Sequence, residues 1–298
     1  MMNQDQVTGR TGGNQLDAAS ILATNPFLRY LVLGIGIILA ALLMACATYG
    51  LSSMRGGMAP TISLALTPVT GMIYLLVTLT ITTLLSGMIG RSINAVVGLF
   101  VLGCGLAVLS MRSGAISSFV LGGGTPWSLV IEGVVWTIVI LAATWVVFRI
   151  SGPLPDIPVH DGRDRSGLGR WFSQRAWMAA LAGLLLLPVV WLLLQNNLKG
   201  QALATGVIGS FAAGMAGRLI SPTTQPVLLF AAPVAAATIG YVFVAVTFID
   251  DPVLALVQQQ IPNFMKLMPV DIAAGSLIGV TMGFASAGGM VTIKPTTD

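Results

Sequence analysis

Long hydrophobic runs with at most one charged residue alternate with short polar segments along most of the chain. A membrane-spanning helix needs about 20 predominantly apolar residues, and eight runs approach or exceed this length: 27–50, 72–89, 93–110, 128–148, 176–195, 202–217, 227–249 and 272–291. The sequence therefore predicts an all-α membrane protein, a polytopic bundle of about eight transmembrane helices. Pro60 and Pro68 interrupt the chain before the second span, and Pro233 is expected to kink the seventh.

The polar segments divide the chain into four parts. We predict a flexible cytoplasmic tail at 1–26, a first membrane half of four helices at 27–150, a cytoplasmic linker loop at 151–175 and a second membrane half at 176–298. The first run also has an alternative interpretation as a cleaved signal, because Leu43-Met44-Ala45-Cys46 resembles a lipoprotein cleavage box. The sixth span is the weakest, since only 18 uncharged residues separate Lys199 from Arg218. The segment 254–267 is typical of an interfacial stretch.

Composition identifies lipid as the solvent. The chain is 55% hydrophobic and 8% charged, against about 25% charged residues in ordinary soluble domains. A net charge of +4 without a basic stripe excludes a nucleic-acid partner. The predicted partner is the lipid bilayer, and both a homo-oligomer and an assembly with other membrane subunits stay open.

Basic residues indicate the orientation. With the N-terminus in the cytoplasm, ten lysines and arginines fall on that side and four, Arg55, Arg112, Lys199 and Lys266, on the other. Positive charge is enriched in cytoplasmic loops, so we expect both termini in the cytoplasm and the protein in the cell membrane, such as a bacterial inner membrane.

One segment occurs twice. GMIGRSI at 87–93 and GMAGRLI at 214–220 lie 127 residues apart, and the surrounding 18-residue stretches share eight identities. Because each half holds an even number of spans, a duplication would give two parallel four-helix repeats. The alternative is convergent chemistry at two helix ends.

Small residues recur at helical spacing in the spans. In the sixth span, residues four apart form one smooth face and Gly209, Ala213 and Gly217 form a second, so two neighbours could enclose this helix. The predicted packing glycines are Gly87, Gly90, Gly206, Gly214, Gly217, Gly275, Gly279 and Gly283.

Four charged residues are candidates for function. Arg91 and Arg218 are predicted to bind terminal carbonyls or lipid head groups, with an anionic substrate as the alternative. Asp271 follows Pro269-Val270 and is expected to cap the eighth span as its N-cap residue, or to stand at the mouth of a glycine-lined passage. Glu132, the chain's one glutamate, is either an interfacial residue paired with Arg112 or Arg55, or a proton or cation relay.

Other chemistry has little support in the sequence. His160, Asp156, Asp161 and Asp164 cluster in the central loop, where we interpret them as solvated residues, and Cys46 and Cys104 as small buried hydrophobic residues. No HExxH, GxSxG, Walker or CxxC motif is present. We therefore predict no catalytic, cofactor-binding or metal-binding residues, and no enzyme activity.

Two functions fit these predictions. The first is a small-solute or ion transporter, a permease, favoured by the repeat, the glycine-rich helices and Glu132. The second is a non-catalytic membrane subunit that scaffolds or anchors a larger complex, favoured by small-residue faces and few interior polar groups. An intramembrane enzyme acting on lipid is the third and weakest hypothesis.

Overall fold

A computed structural model of the protein describes residues 26–54, 57–154, 157, 173–248 and 251–290. Twelve α-helices lie in these ranges, and no strand is present among them. In chain order they are α1 Pro26–Ala47, α2 Pro68–Ser92, α3 Ala95–Arg112, α4 Ile116–Leu121, α5 Pro126–Ser151, α6 Gln174–Leu181, α7 Leu186–Leu193, α8 Lys199–Ile220, α9 Val227–Thr247, α10 Pro252–Val257, α11 Asn263–Lys266 and α12 Pro269–Gly288.

Eight segments within the described ranges are long and apolar enough to cross a membrane. They are α1 with a 3₁₀ turn to Gly50, α2, α3, α5, α6 joined to α7, α8, α9 and α12. The predicted fold is therefore confirmed: the protein is an all-α, polytopic membrane bundle. We call the end of the bundle at which α1 begins the inner end and the opposite end the outer end.

Helix ends follow from local chemistry. Proline at the first helical position needs no hydrogen-bond partner for its nitrogen, and Pro68, Pro126 and Pro269 begin α2, α5 and α12. At the inner end, the Asn94 side chain accepts a 2.8 Å hydrogen bond from the Val97 N–H and caps α3. Six of the eight spans start one to four residues before the predicted ones, because their first turns lie in the polar flanks, whereas α9 starts at the predicted residue and α3 starts two residues later.

Proline affects the fifth and seventh spans differently. A 3₁₀ segment, Ala182–Leu185, separates α6 from α7, and Pro188 follows it in the next turn. A proline inside a helix removes the hydrogen bond to the carbonyl four residues earlier, which accounts for the change in helix type. In α9, the helix continues through Pro233 without a break.

The core lies where α3, α9 and α12 meet. The helix α12 packs against α8, α3 and α9, while α5 packs against α9 and α2. Aliphatic and aromatic side chains fill the space between them, including Leu99, Leu102, Leu106, Phe230, Val234, Ile272 and Leu277. The third span of each half thus contacts the fourth span of the other half, as α3 with α12 and α9 with α5. The internal duplication itself stays a prediction.

Several predicted features lie outside the described residues. They include most of the tail, most of the linker loop with Asp156, His160, Asp161 and Asp164, and both termini. The segment after α9, expected at the membrane interface, forms the short helices α10 and α11.

Candidate functional site

Glu132 is buried near the outer end of α5. It is the seventh residue of that helix, which places it about 9 Å from the helix start at 1.5 Å per residue. Its side chain is only 9% exposed. The carboxylate oxygen Oε1 accepts hydrogen bonds from the backbone N–H and the hydroxyl of Ser63, at 3.2 and 3.3 Å.

Ser63 comes from a different part of the chain. It lies in the 3₁₀ turn Ile62–Leu64, in the connection between α1 and α2 and 69 residues before Glu132. The sequence suggested Arg112 or Arg55 as partners for Glu132. Arg112 is exposed and forms no salt bridge within the described part of the chain, and Arg55 lies outside it. The outer loop therefore supplies neutral donors where a cation was expected.

Asp271 is fully buried at the outer end of α12. Its oxygen Oδ1 lies 2.7 Å from Nζ of Lys199, the first residue of α8, and accepts a 2.6 Å hydrogen bond from the Ser110 hydroxyl of α3. The Lys199 ammonium also donates to the carbonyl of Gly114 at 3.2 Å. These contacts join α8, α3 and α12 at one level of the bundle.

The capping role of Asp271 differs in position from the prediction. The N-cap residue of α12 is Met268, and Asp271 is the third helical residue. Its oxygen Oδ2 accepts the backbone N–H of Met268 at 3.2 Å. An acidic residue at this position returns to the N-cap backbone, as in a capping box. With Pro269 at the first helical position, the helix starts three residues earlier than expected.

Tyr241 of α9 lies beside Gly133, the residue after Glu132, and contacts Leu267 in the loop before α12. Its side chain is 1% exposed and its hydroxyl donates to the carbonyl of Leu267 at 2.7 Å. Gly133, next to Glu132, leaves space for the Tyr241 ring, since a Cβ atom there would lie 3.1 Å from ring carbon Cδ2. We call Glu132, Ser63, Tyr241, Asp271, Lys199 and Ser110 the outer polar cluster.

Lys266, the last residue of α11, forms further polar contacts near the outer end of α7. Its ammonium donates to the Gln195 carbonyl at 3.2 Å and to the Asn263 side chain at 2.9 Å. The residue is buried in the loop region outside the spanning segments, and desolvation lowers the pKa of its ammonium below the ordinary value of 10.5.

A cavity of about 560 Å³ opens beside this cluster. It lies between the α1–α2 connection and α4, and its lining includes the hydroxyl-bearing residues Ser53, Ser63, Ser117 and Ser118. Small-molecule sites commonly have volumes of about 300–1,000 Å³. Ser63 contacts both this space and Glu132, so the buried carboxyl group is one residue away from an open cavity lined by hydroxyl-bearing and apolar residues.

Comparison with protein-family models, curated proteins and solved structures found no match. The function must therefore be inferred from the residues of this chain.

The two arginines of the repeated segment have different environments. Arg91 is exposed at the inner end of α2, whereas Arg218 is 2% exposed and its guanidinium carbon lies 4.4 Å from the centroid of the Phe284 ring. Neither lines the outer cavity, and both lie at the opposite end of the bundle from Glu132. The structure does not bring the arginines and Glu132 into one site.

The predicted packing glycines lie at close helix contacts. On α12, a Cβ atom at Gly279 or Gly283 would collide with the backbone carbonyls of Val207 and Phe211 on α8. The second smooth face of α8 meets the other side, where Gly209 contacts Leu186 of α7. The remaining members are also in close contact: Gly87 with Ile150, Gly90 with Ser151, Gly206 with Asp271, Gly214 with Val280, Gly217 with Leu229 and Gly275 with Gly206.

Sequence reasoning missed most of the cluster. It assigned Lys199 and Lys266 only to loop charge, and it did not single out Ser63, Ser110 or Tyr241. One signal was available in the sequence. Lys199 and Asp271 lie in the first turns of two glycine-rich helices that both start at the outer end, so their opposite charges could have been expected to pair. For metals, the described residues contain no group of three or more His, Cys, Asp or Glu side chains that could hold an ion.

Proposed function

We propose that this protein is a permease for a small solute or an ion, with Glu132 as the group that exchanges a proton or a cation during transport. The observation that carries the proposal is the connection of a buried carboxyl group, through Ser63, to a 560 Å³ cavity at the outer end. Buried ionisable side chains in membrane spans are costly, and they commonly mark ion or substrate paths.

The Glu132 carboxyl group can bind and release a proton or a cation. A carboxylate in a water-poor setting is stabilised by a bound proton or cation, because an isolated charge is unfavourable there. Two neutral donors on one oxygen partly stabilise the ionised form. A solute entering the outer cavity reaches Ser63 first, and displacement of Ser63 exposes Glu132. Binding and proton exchange are thereby coupled at one residue.

The second candidate function is a non-catalytic subunit of a membrane complex. It is favoured by the core between α3, α9 and α12, where buried aliphatic and aromatic side chains outnumber buried polar ones. A solute path through this core requires the helices to move, whereas a scaffold does not.

Sizing in mild detergent, followed by melting in the presence of single solutes, separates the two functions. A permease is expected to migrate as a monomer or homo-oligomer and to gain stability with one class of solute, because a ligand that binds only the folded state raises the melting temperature. The Glu132→Gln variant should fold but lose this gain, while Asp251→Asn, an acid-to-amide change at an exposed outer helix cap, should keep it. Co-purification of different subunits in fixed ratio, with no solute response, contradicts the permease.

A further inference from the structure

A second, smaller pocket lies at the inner end, far from the outer polar cluster. It is formed where α6, α8, α9 and α12 meet, and its lining includes Gly217, Thr224, Gln225, Leu228 and Phe284. The enclosed space is about 10 Å³, which admits one atom of the size of a water oxygen. Residues of the polar turn between α8 and α9 form part of its lining.

Gln225 presents an unsatisfied donor to this pocket. The residue is only 8% exposed, and its Nε2 atom is buried without a hydrogen-bond partner. The orientation of the amide is fixed by its other end, because Oε1 accepts the backbone N–H of Leu154 at 3.2 Å. A flipped amide would place two donors against each other. The Nε2 donor is therefore available to a ligand.

The beginning of α9 adds further donors. The first N–H groups of a helix have no acceptor within the helix, and the N-cap residue Pro226 provides no side-chain cap. The Thr224 hydroxyl, which accepts a 2.6 Å hydrogen bond from Ser221, has its own proton free to donate. The lining carries no acidic residue among those that the structure describes.

Arg218 adjoins the lining of the same space through two residues. Its neighbour Gly217 and its ring partner Phe284 both line the pocket. Neutral donors, a helix N-terminus and a nearby guanidinium together favour a negatively charged oxygen. The size admits one such oxygen, with the rest of its group outside the mouth.

We propose that this pocket binds one oxygen of a phosphate group at the inner membrane surface, from an anionic phospholipid or from free phosphate. The pocket lies where α8 ends and α9 begins, at the inner end of both spans. Its role is structural or regulatory, and it does not depend on whether the protein transports a solute.

The test compares melting temperatures of the full-length protein in phosphatidylcholine nanodiscs with and without phosphatidylglycerol. Gln225→Glu is the informative variant, because it keeps the acceptor for Leu154 while replacing the donor with a negative charge. Gln258→Glu, at an exposed position of the outer end, introduces the same charge as a matched control. Thr224→Val removes one hydroxyl donor without altering the Leu154 contact.

Phosphatidylglycerol is expected to stabilise the wild type and Gln258→Glu, and Gln225→Glu should bind it roughly tenfold or more weakly, as expected for loss of a hydrogen bond to a charged group. Thr224→Val should show a smaller loss of phosphatidylglycerol binding. If Gln225→Glu fails to fold, Thr224→Val provides the test instead. Stabilisation of phosphatidylcholine discs by inorganic phosphate, again lost in Gln225→Glu, identifies free phosphate as the source. Equal lipid responses in all variants, or no response of the wild type to either probe, overturn the proposal.

Discussion

The Nζ atom of Lys199 lies 2.7 Å from Oδ1 of Asp271, although one residue begins α8 and the other lies in the first turn of α12. The carboxylate is fully buried, and the lysine side chain retains 14% exposure. Lys199 therefore reaches from the outer surface into the bundle. This pair lies at the outer end of the close packing between α8 and α12.

Removal of one member of the pair is expected to destabilise the protein strongly. Lys199→Met leaves the Asp271 charge buried without its cation, and breaking a buried ion pair costs about 3–5 kcal/mol. The double variant Lys199→Met/Asp271→Asn should lose less stability than the sum of the two single variants, because it leaves no unpaired charge. Reversible unfolding in mixed micelles measures the four free energies. Additive losses would show that the two side chains do not interact.

Adding a methyl group between α8 and α12 is expected to destabilise the protein. Gly279→Ala places a methyl group against the carbonyl of Val207, and overpacking a tight contact costs about 1–3 kcal/mol. Gly34→Ala is the matched control in α1, since nothing lies within 4 Å of its Cβ position. Melting temperatures of the purified variants should fall for Gly279→Ala and stay equal or rise for Gly34→Ala. Equal behaviour would mean that the helices are farther apart.

Alkaline pH is expected to stabilise the fold through Lys266. Its folded pKa is lowered by burial, so the penalty for burying the charge is present below that pKa. Between the lowered pKa and the unfolded value of about 10.4, the unfolded state holds the extra proton and stability rises with pH. The melting temperatures of wild type and Lys266→Gln are compared from neutral pH to pH about 10.4. The wild type should gain stability relative to Lys266→Gln as the pH rises through this window. A constant difference would contradict the shift.

The predicted orientation can be tested with single cysteines. In a background without Cys46 and Cys104, Ser118→Cys lies at the outer cavity and Ser92→Cys at the inner end of α2. With both termini in the cytoplasm, an impermeant maleimide should label Ser118→Cys in intact cells and Ser92→Cys only after permeabilisation. The reverse result would invert the topology while leaving the helix packing unchanged.

The spans were predictable because their signal is long and local. An uncharged run of about 20 residues identifies a spanning helix wherever its partners lie, and Pro68 and Pro126 mark helix starts by their own geometry. Glycine spacing likewise identified the packing faces of α8 and α12, because periodicity within one helix determines which residues share a face. It did not show that these two faces contact each other.

The site was less predictable because its contacts join distant segments. Ser63 and Glu132 are 69 residues apart, and a single hydrogen bond between a loop and a helix produces no periodic pattern in either. Arg91 and Arg218 illustrate the same limit: they occupy equivalent places in the repeated segment, yet one is exposed and the other buried. The local sequence places each arginine at a helix end, and the packing of neighbouring helices determines whether its side chain is exposed or buried.

Flux through the protein reconstituted alone tests whether Glu132 takes part in transport. Vesicles containing the purified chain and an internal pH-sensitive dye are given the solute that raises its melting temperature. Wild type and Asp251→Asn should take up the solute with a change of internal pH, and Glu132→Gln should lose both signals, since an amide at this position cannot exchange a proton. Uptake by Glu132→Gln at the wild-type rate, or no uptake by the wild type, would contradict the proposed mechanism.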